Sequence, residues 1–177
     1  MHKLSKLLFL PFYLIALGCG SDQEIHIILS EGFKGEATVV CDEVCGIPIK
    51  ESDSGIITLE IPTNGILITQ LPMSCKIDKR KYFYKNAEGA VTEIPKMSEL
   101  EEIRSWTRKI GAADPERDII GAYEEMCGFK TDNGFNSQSV TIMTYNELQD
   151  SLASPFFAIR NHLNIQKELK KCQESKR

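Results

Sequence analysis

The sequence predicts a mostly β (α+β) fold, an antiparallel β-sandwich or barrel-like sheet with one helix after the sixth strand and a C-terminal helix. Three observations lead to this fold class. Short apolar segments of strand length recur over the first half of the chain, turns containing Gly and Asn separate them, and helical apolar spacing begins only near residue 98. Six short strands with turns at this spacing favour a sandwich or barrel over a parallel sheet.

Residues 1–18 have the pattern of a secretory signal peptide. Lys3 and Lys6 precede an apolar run from Leu7 to Leu17 that is interrupted only by Pro11. This run is well below the ~20 residues that a membrane-spanning helix needs. We therefore expect the segment to be removed after export.

The end of this run resembles a bacterial lipobox. Gly18 and Cys19 fit the pattern, a polar stretch from Gly20 to Glu24 follows, and Ala16 and Leu17 are tolerated residues at their positions. In that motif the cysteine is diacylated and becomes the N-terminus after cleavage, and two or three acyl chains make anchoring effectively permanent. The alternative is an ordinary signal peptide cut near Gly20, with Cys19 discarded.

The expected organisation is therefore a signal peptide (1–18), a lipid anchor and tether (19–24) and a single β-rich domain (25–177). The expected localisation is the bacterial cell envelope, as a membrane-anchored lipoprotein that faces the periplasm or the exterior.

Strands and turns alternate from residue 25 to residue 94. The turn Glu31–Gly35 suggests a hairpin between the first two strands, and Asn64-Gly65 is the strongest hairpin signal because both residue types tolerate positive φ. Asn86–Gly89 suggests a further hairpin, between the fifth and sixth predicted strands. The six predicted strands are 25–29, 36–41, 57–61, 66–69, 82–85 and 90–94.

Three of these elements, EGFKG, IPTNGILITQ and KYFYKNAEGAVTEIP, occur in this order behind the signal segment. Together they resemble a family of bacterial secreted or lipid-anchored proteins known only as a domain of unknown function. The resemblance covers about residues 25–95, and it implies an envelope localisation and a β-rich core. The motifs consist of turn and strand residues, so no catalytic or binding residue comes with them, and the CDEVC segment lies outside the pattern.

Helices are predicted near 98–110 and 155–172. Ser98 and Glu101 form a capping box ahead of an apolar stripe that includes Trp106, which is more often a core residue than a ligand platform. Ser154-Pro155 is an N-cap followed by proline at the first helical position. Between these helices, Ile119–Tyr123 and the segment around Val140 and Ile142 are predicted strands, and Thr144 with Glu147 caps a short helix.

The cysteines are the candidate disulfide residues. In an oxidising compartment some of the five that follow Cys19 should pair, and at least one is left over. Cys41 and Cys45 are nearest in sequence and suggest a small disulfide loop or an inert pair, whereas a redox or copper site is the sharper alternative because soft thiolates suit Cu(I). A second, long-range bridge would come from among Cys75, Cys127 and Cys172, with connectivity left open.

The charge balance limits the classes of partner. Residues 1–18 carry two lysines and no acid, so the mature charge is 19 minus 25, or −6. Nucleic acid and an electrostatic grip on anionic lipid both need clustered basic residues, so we expect neither. The basic C-terminal segment is expected to be a solvated helix face. The expected partners are the membrane, through the N-terminal lipid, and an envelope protein or glycan.

The sequence offers little catalytic chemistry. Two histidines follow residue 18, His26 and His162, which is too few for a multi-His zinc site, and we expect no metal, no cofactor and no catalytic residue. The leading hypothesis is a non-enzymatic, lipid-anchored binding or structural module, with an inhibitor or immunity-type protein as a variant. The alternatives are a thiol-redox or metal-handling protein that uses Cys41 and Cys45, and a hydrolase built from scattered carboxylates.

Overall fold

The computed structural model describes residues 23–50, 52, 54–74, 79–97, 120–124, 127–130, 134–144, 147 and 156–176, with the backbone alone for 156–160. Within these residues the chain forms eight strands and one helix. They are β1 (Ile25–Ser30), β2 (Gly35–Cys41), β3 (Ile57–Glu60), β4 (Ile66–Ile68), β5 (Arg80–Lys85), β6 (Val91–Ile94), β7 (Ile120–Glu124), β8 (Asn136–Thr144) and α1 (Phe156–Ser175). No helix in this part of the chain is long and apolar enough to cross a membrane.

The strands form two four-stranded sheets. The first sheet has the order β3-β1-β5-β6 and the second has the order β4-β2-β8-β7. In the first sheet β1 runs parallel to both β3 and β5, and only β5 and β6 are antiparallel. In the second sheet β2 is parallel to β4 and antiparallel to β8, which is antiparallel to β7. Both sheets are therefore mixed, and the expectation of an antiparallel arrangement is wrong in this respect.

The two sheets share one hydrophobic core. Alternate residues of β1 (Ile25, Ile27 and Leu29) are buried against alternate residues of β2 and β8, and Tyr82 of β5 joins the same cluster. Since successive side chains on a strand point to opposite faces, this alternation gives each sheet one inner face. The arrangement of the described strands is sandwich-like and not a closed barrel.

The outer face of the second sheet is covered by α1. Ile165 is 4% exposed and packs in a second cluster with Val40, Ile66 and Phe135. The second sheet is thus buried on both faces, which explains why β2 is buried at five consecutive positions from Ala37 to Cys41. Such a run lacks the alternation that marks a strand with one wet face.

The predicted hairpin between β1 and β2 does not form, because the two strands lie in different sheets. The chain crosses from one sheet to the other through residues 31–34, and Gly32 within the crossing and Gly35 at the start of β2 take positive φ. A short glycine turn can join paired strands or facing sheets, and the residue pattern is the same in both cases. The hairpin interpretation was wrong for this reason.

The second predicted hairpin, at Asn64-Gly65, is also wrong, since β3 belongs to the first sheet and β4 to the second. The turn itself is present, and the Gly65 amide donates to the Pro62 carbonyl at 2.8 Å. Gly65 has φ +78°, but Asn64 is not in the positive-φ region. A primed hairpin turn of the Asn-Gly type needs positive φ at both central residues, so this turn cannot close a two-residue hairpin.

Other predicted elements are confirmed. β5 and β6 form the hairpin expected around Asn86–Gly89, and strands occur at 120–124 and 136–144. Thr144 and Glu147 make the reciprocal bonds of a capping box, with the Glu147 amide donating to Thr144 Oγ1 at 3.2 Å and the Thr144 amide to Glu147 Oε2 at 2.8 Å. The C-terminal helix extends to Ser175. The helix predicted near 98–110 and the Ser154-Pro155 cap lie outside the described residues.

Gly65→Ala tests the crossing turn. An added Cβ would meet the Glu36 carbonyl oxygen at 2.7 Å, in addition to the cost of about 1–2 kcal/mol for an L-residue at positive φ. Gly89→Ala is the matched control, because Gly89 has φ +85° with open space around its Cβ position. We expect Gly65→Ala to lower the free energy of unfolding by at least about 1 kcal/mol more than Gly89→Ala does. Equal losses in chemical denaturation would contradict this geometry.

Candidate functional site

The candidate site lies at one end of the sandwich, called here the near end, where β1 and β5 begin and β2 ends. Ile25 is paired with Arg80, and Arg80 Nη2 donates to the Ser74 carbonyl at 2.8 Å. The preceding residue in that segment, Met73, donates its amide to Asp42 Oδ2 at 3.2 Å. This run of contacts places the loop after β2 beside the point where the chain enters the first sheet.

The loop that follows β2, residues 42–48, begins with an unusual backbone geometry. Asp42 has φ 59°, which makes it the one non-glycine residue at positive φ among those that the structure describes. Its amide donates to the Leu71 carbonyl at 2.9 Å, and its carboxylate also accepts from Asn136 Nδ2 at 2.8 Å. Asp tolerates this conformation better than most residues because its short side chain bonds locally. The chain therefore turns sharply and is held from both sides.

Backbone hydrogen bonds continue along the loop. The Glu43 amide donates to the Thr69 carbonyl at 3.0 Å, and the Gln70 side chain donates to the carbonyls of Val44 and Gly46 at 3.1 and 3.2 Å. A Cβ at Gly46 would lie 2.6 Å from the Thr69 backbone, so glycine is needed for this close approach. The loop is thus fixed against the chain that follows β4.

A disulfide completes the bracing. Cys45 in the loop is bonded to Cys172 near the end of α1, with their Cα atoms 5.6 Å apart. Lys176 adds a hydrogen bond from its Nζ to the Val44 carbonyl at 3.1 Å. The helix therefore runs toward the near end and is covalently fixed there. We refer to residues 42–48 as the braced loop.

The braced loop exposes apolar side chains to solvent. Val44 is 83% exposed and Ile47 is 50% exposed. Phe129, also 50% exposed, lies at the same end, since its neighbour Gly128 bridges Ser137 of β8 close to the end of β2. Half of the most exposed large apolar side chains among the described residues are therefore at the near end. A rigid loop that presents apolar groups is typical of a contact surface.

The interior beneath the loop is polar at one point. Arg80 is 2% exposed, and its Nε has no hydrogen-bond acceptor among the described residues. The Tyr82 hydroxyl donates to Glu124 Oε1 at 2.7 Å, and Lys96 Nζ lies 3.6 Å from the same oxygen. Burial and the Glu124 carboxylate raise the pKa of Tyr82. Arg80 and Tyr82 line a cavity of about 10 Å³, room for a single water molecule rather than a substrate.

Cys41 is a buried thiol in this region. It is fully buried on the inner face of β2 and unbridged, and burial, followed by the nearby Asp42 carboxylate, raises the pKa of the thiol to about 12. At neutral pH this cysteine is a protonated, inaccessible group, the opposite of an activated thiolate.

The cysteine pairing therefore differs from the expectation. A Cys41–Cys45 bridge does not form, because Cys41 points into the core while Cys45 lies in the loop beyond the strand end and meets α1. The redox or copper site built on this pair is wrong for the same reason. Cys127 is disulfide-bonded to a partner outside the described residues. Cys19 and Cys75 also lie outside them, so their predicted roles stay predictions.

The remaining candidate groups are far apart. His26 lies on the outer face of the first sheet, bonded to Glu24 at 2.6 Å, whereas His162 lies on α1 and stacks on Phe135 with ring centroids 5.3 Å apart. Among the residues that the structure describes, no three His, Cys, Asp or Glu side chains gather as metal ligands. Sequence reasoning missed the exposed loop residues and the buried Arg80. The run Cys45-Gly46-Ile47-Pro48 after β2 was the feature of the sequence that could have predicted a fixed loop with an apolar side chain.

Comparisons with known proteins give a family but no activity. The sequence model of a family of unknown function, DUF6843, matches residues 21–133, more than half of the chain. The curated proteins include no match. A solved Bacillus anthracis structure named "Putative Lipoprotein" has a TM-score of 0.45 and 14% identity, and the similarity covers 68% of this chain and 69% of that one. That similarity is too low to support any argument about this protein.

The disulfide can be tested by comparing Cys45→Ala, Cys172→Ala and the double variant. Each should lower the free energy of unfolding by about 2–5 kcal/mol, because a long loop gains freedom in the unfolded state. Because the two residues share one bond, the double variant should lose about as much as each single variant, rather than their sum. Additive losses in denaturant unfolding would show that the two cysteines act separately.

The buried thiol predicts a loss of stability in alkali. Cys41 ionises near its ordinary value of 9.0 in the unfolded chain and near 12 in the folded protein. As pH rises between these values, the unfolded state loses its proton first. The contribution of Cys41 to the free energy of unfolding is therefore complete below pH 9. Above pH 9 it falls by up to ~1.4 kcal/mol per pH unit.

Cys41→Ala should therefore flatten the decline of unfolding free energy between pH 9 and 11. Val39→Ala is the control, since Val39 is equally buried on the same face of β2 but does not ionise. It should lower stability at every pH and leave the slope unchanged. If the unfolding free energy of Cys41→Ala declined with pH as steeply as that of the wild type, ionisation of Cys41 would not be the cause of the alkaline loss.

Proposed function

The chain belongs to DUF6843, a family of unknown function, and we propose that it is a lipid-anchored protein of the bacterial cell envelope whose folded part is a non-enzymatic binding or structural module. The family assignment supplies no activity. The proposal therefore rests on the residues of this chain and on the positions that the fold gives them.

The anchor is supported by the sequence ahead of the fold. The apolar run that ends at Leu17 is followed by Gly18 and Cys19, and the first strand begins only six residues after Cys19, at Ile25. This is the arrangement of a lipoprotein whose acylated cysteine carries a folded domain on a short tether. Two or three acyl chains hold such a domain at the membrane effectively permanently.

The observation that carries the envelope assignment is the bond between Cys45 and Cys172. It is independent of the signal sequence, and disulfides of this structural kind persist in extracytoplasmic compartments and are rare in the cytosol. A third disulfide-bonded cysteine, Cys127, agrees with the same compartment. The disulfide and the N-terminal signal segment thus both support a location outside the cytoplasm.

The non-enzymatic role is supported by where the reactive groups of the described residues lie. The Cys41 thiol is buried and protonated, and the Glu124 carboxylate is occupied by Tyr82 and Lys96 inside the fold. The nearby cavity admits about one water molecule. In contrast, the rigid loop at the near end presents apolar side chains to solvent. Contact, rather than turnover, is the chemistry that this geometry favours.

Cys19→Ser tests the anchor. The substitution removes the sulfur that is acylated, so we expect loss of fatty-acid labelling, accumulation of the uncleaved precursor and release from the membrane when the signal segment is cleaved by other means. Labelling with an alkyne fatty acid and fractionation of the cells measure these effects. Cys41→Ala is the matched control, because it removes a different cysteine and should stay acylated. If Cys19→Ser is processed and membrane-bound like the wild type, the anchor assignment is wrong.

A further inference from the structure

We propose that the near end of the sandwich lies against the lipid bilayer, with the tip of the braced loop in the headgroup region. This inference deepens the proposed function and rests on acylation at Cys19. It names the bilayer itself as what covers the exposed apolar side chains of Val44, Ile47 and Phe129, which are spread across the near end.

The length of the tether fixes which end of the fold is close to the membrane. Five residues, Gly20 to Glu24, separate Cys19 from the start of β1 at Ile25. Fully extended, the six steps from Cys19 to Ile25 span at most about 22 Å. The strand that follows has six residues and leads away from this point over roughly 20 Å. The near end is therefore held within reach of the headgroups, and we infer that the far end, with the turn at residues 86–89, is directed away from them.

The apolar side chains at the near end have the exposure expected of groups that meet a lipid phase. Val44 is 83% exposed at the tip of the braced loop, and Ile47 and Phe129 are half exposed. Apolar side chains of membrane-bound segments insert by about 5–10 Å into the boundary between headgroups and acyl chains. The exposed side chains at the tip of the braced loop are suited to insertion to this depth of about 5–10 Å.

The braced loop is also rigid enough to hold these side chains outward. The Cys45–Cys172 bond, the Gln70 bonds to Val44 and Gly46 and the Asp42 bonds to Met73 fix its backbone without using the apolar side chains. A flexible loop would fold its apolar groups back onto the protein. This one cannot, so the apolar surface is maintained until something covers it.

The charges at this end favour an apolar contact over an electrostatic one. In the last turns of α1, Lys171 is paired with Glu168 at 2.6 Å and Lys170 with Glu174 at 3.9 Å. The braced loop itself carries Asp42 and Glu43. Together with Lys176, whose Nζ donates to the Val44 carbonyl, these positive and negative groups largely cancel, so the surface does not need anionic lipid. We expect a bilayer of phosphatidylcholine to be sufficient.

The test uses the acylated, full-length gene product reconstituted into phosphatidylcholine vesicles, with Val44→Trp as the reporter. Val91→Trp is the matched control: it is the same substitution at an exposed valine, and Val91 pairs with Lys85 at the far end. The single native tryptophan, Trp106, gives a constant background. Brominated phosphatidylcholine, which quenches only within the bilayer, should quench Val44→Trp several-fold more than Val91→Trp, and aqueous acrylamide should show the reverse order.

Flotation of the vesicles separates the anchor from the contact. If the protein floats and the two variants are quenched equally by the brominated lipid, the anchor stands and the bilayer contact is wrong. Protection of Val44→Trp from acrylamide in whole envelopes without quenching by brominated lipid would replace the bilayer with a protein partner, and it would overturn the inference. If the protein does not float, the anchor at Cys19 is wrong, and the contact that rests on it falls as well.

Discussion

A covalent link between Cys45 and Cys172 joins the loop after β2 to the end of α1, at one end of the second sheet. The helix covers the outer face of that sheet through Ile165, while the loop is bonded to the chain that follows β4. Because the link lies at the near end, the helix cannot leave the sheet without carrying the loop with it. The disulfide thus adds a covalent constraint to a loop that hydrogen bonds hold and to a helix that apolar packing holds.

The near end combines a polar interior with an apolar surface. Arg80 is buried in the core, where a charge is costly, and Tyr82, Glu124 and Lys96 form a bonded group beside it. Val44 lies outside with most of its surface in water. The buried polar groups thus rigidify the support beneath the exposed apolar side chains.

The positions of the strands could be predicted from the sequence, but their pairing could not. Alternation such as that of Ile25, Ile27 and Leu29 shows that a strand buries one face, and it is identical whether the next strand lies in the same sheet or in the facing one. The cysteine pairing failed similarly, because sequence proximity suggested Cys41 with Cys45. Residues two apart on a strand share a face, so Cys41 lies on the inner face with Val39, apart from a residue in the following loop. The loop's role as an apolar tip depends on α1, more than 120 residues away.

The crossings between sheets have a consequence for how the chain acquires its structure. β1 is paired with β3 and β5, so Ile25 finds its partners Ile57 and Arg80 only 32 and 55 residues later in the chain. Contacts so distant in sequence form slowly, because the entropy of closing a long loop is lost before the contact is gained. If the chain is exported from its N-terminus, β1 waits with open edges until β5 has followed it. During that interval it is vulnerable to pairing with other chains, and a chaperone outside the cytoplasm would act at this stage.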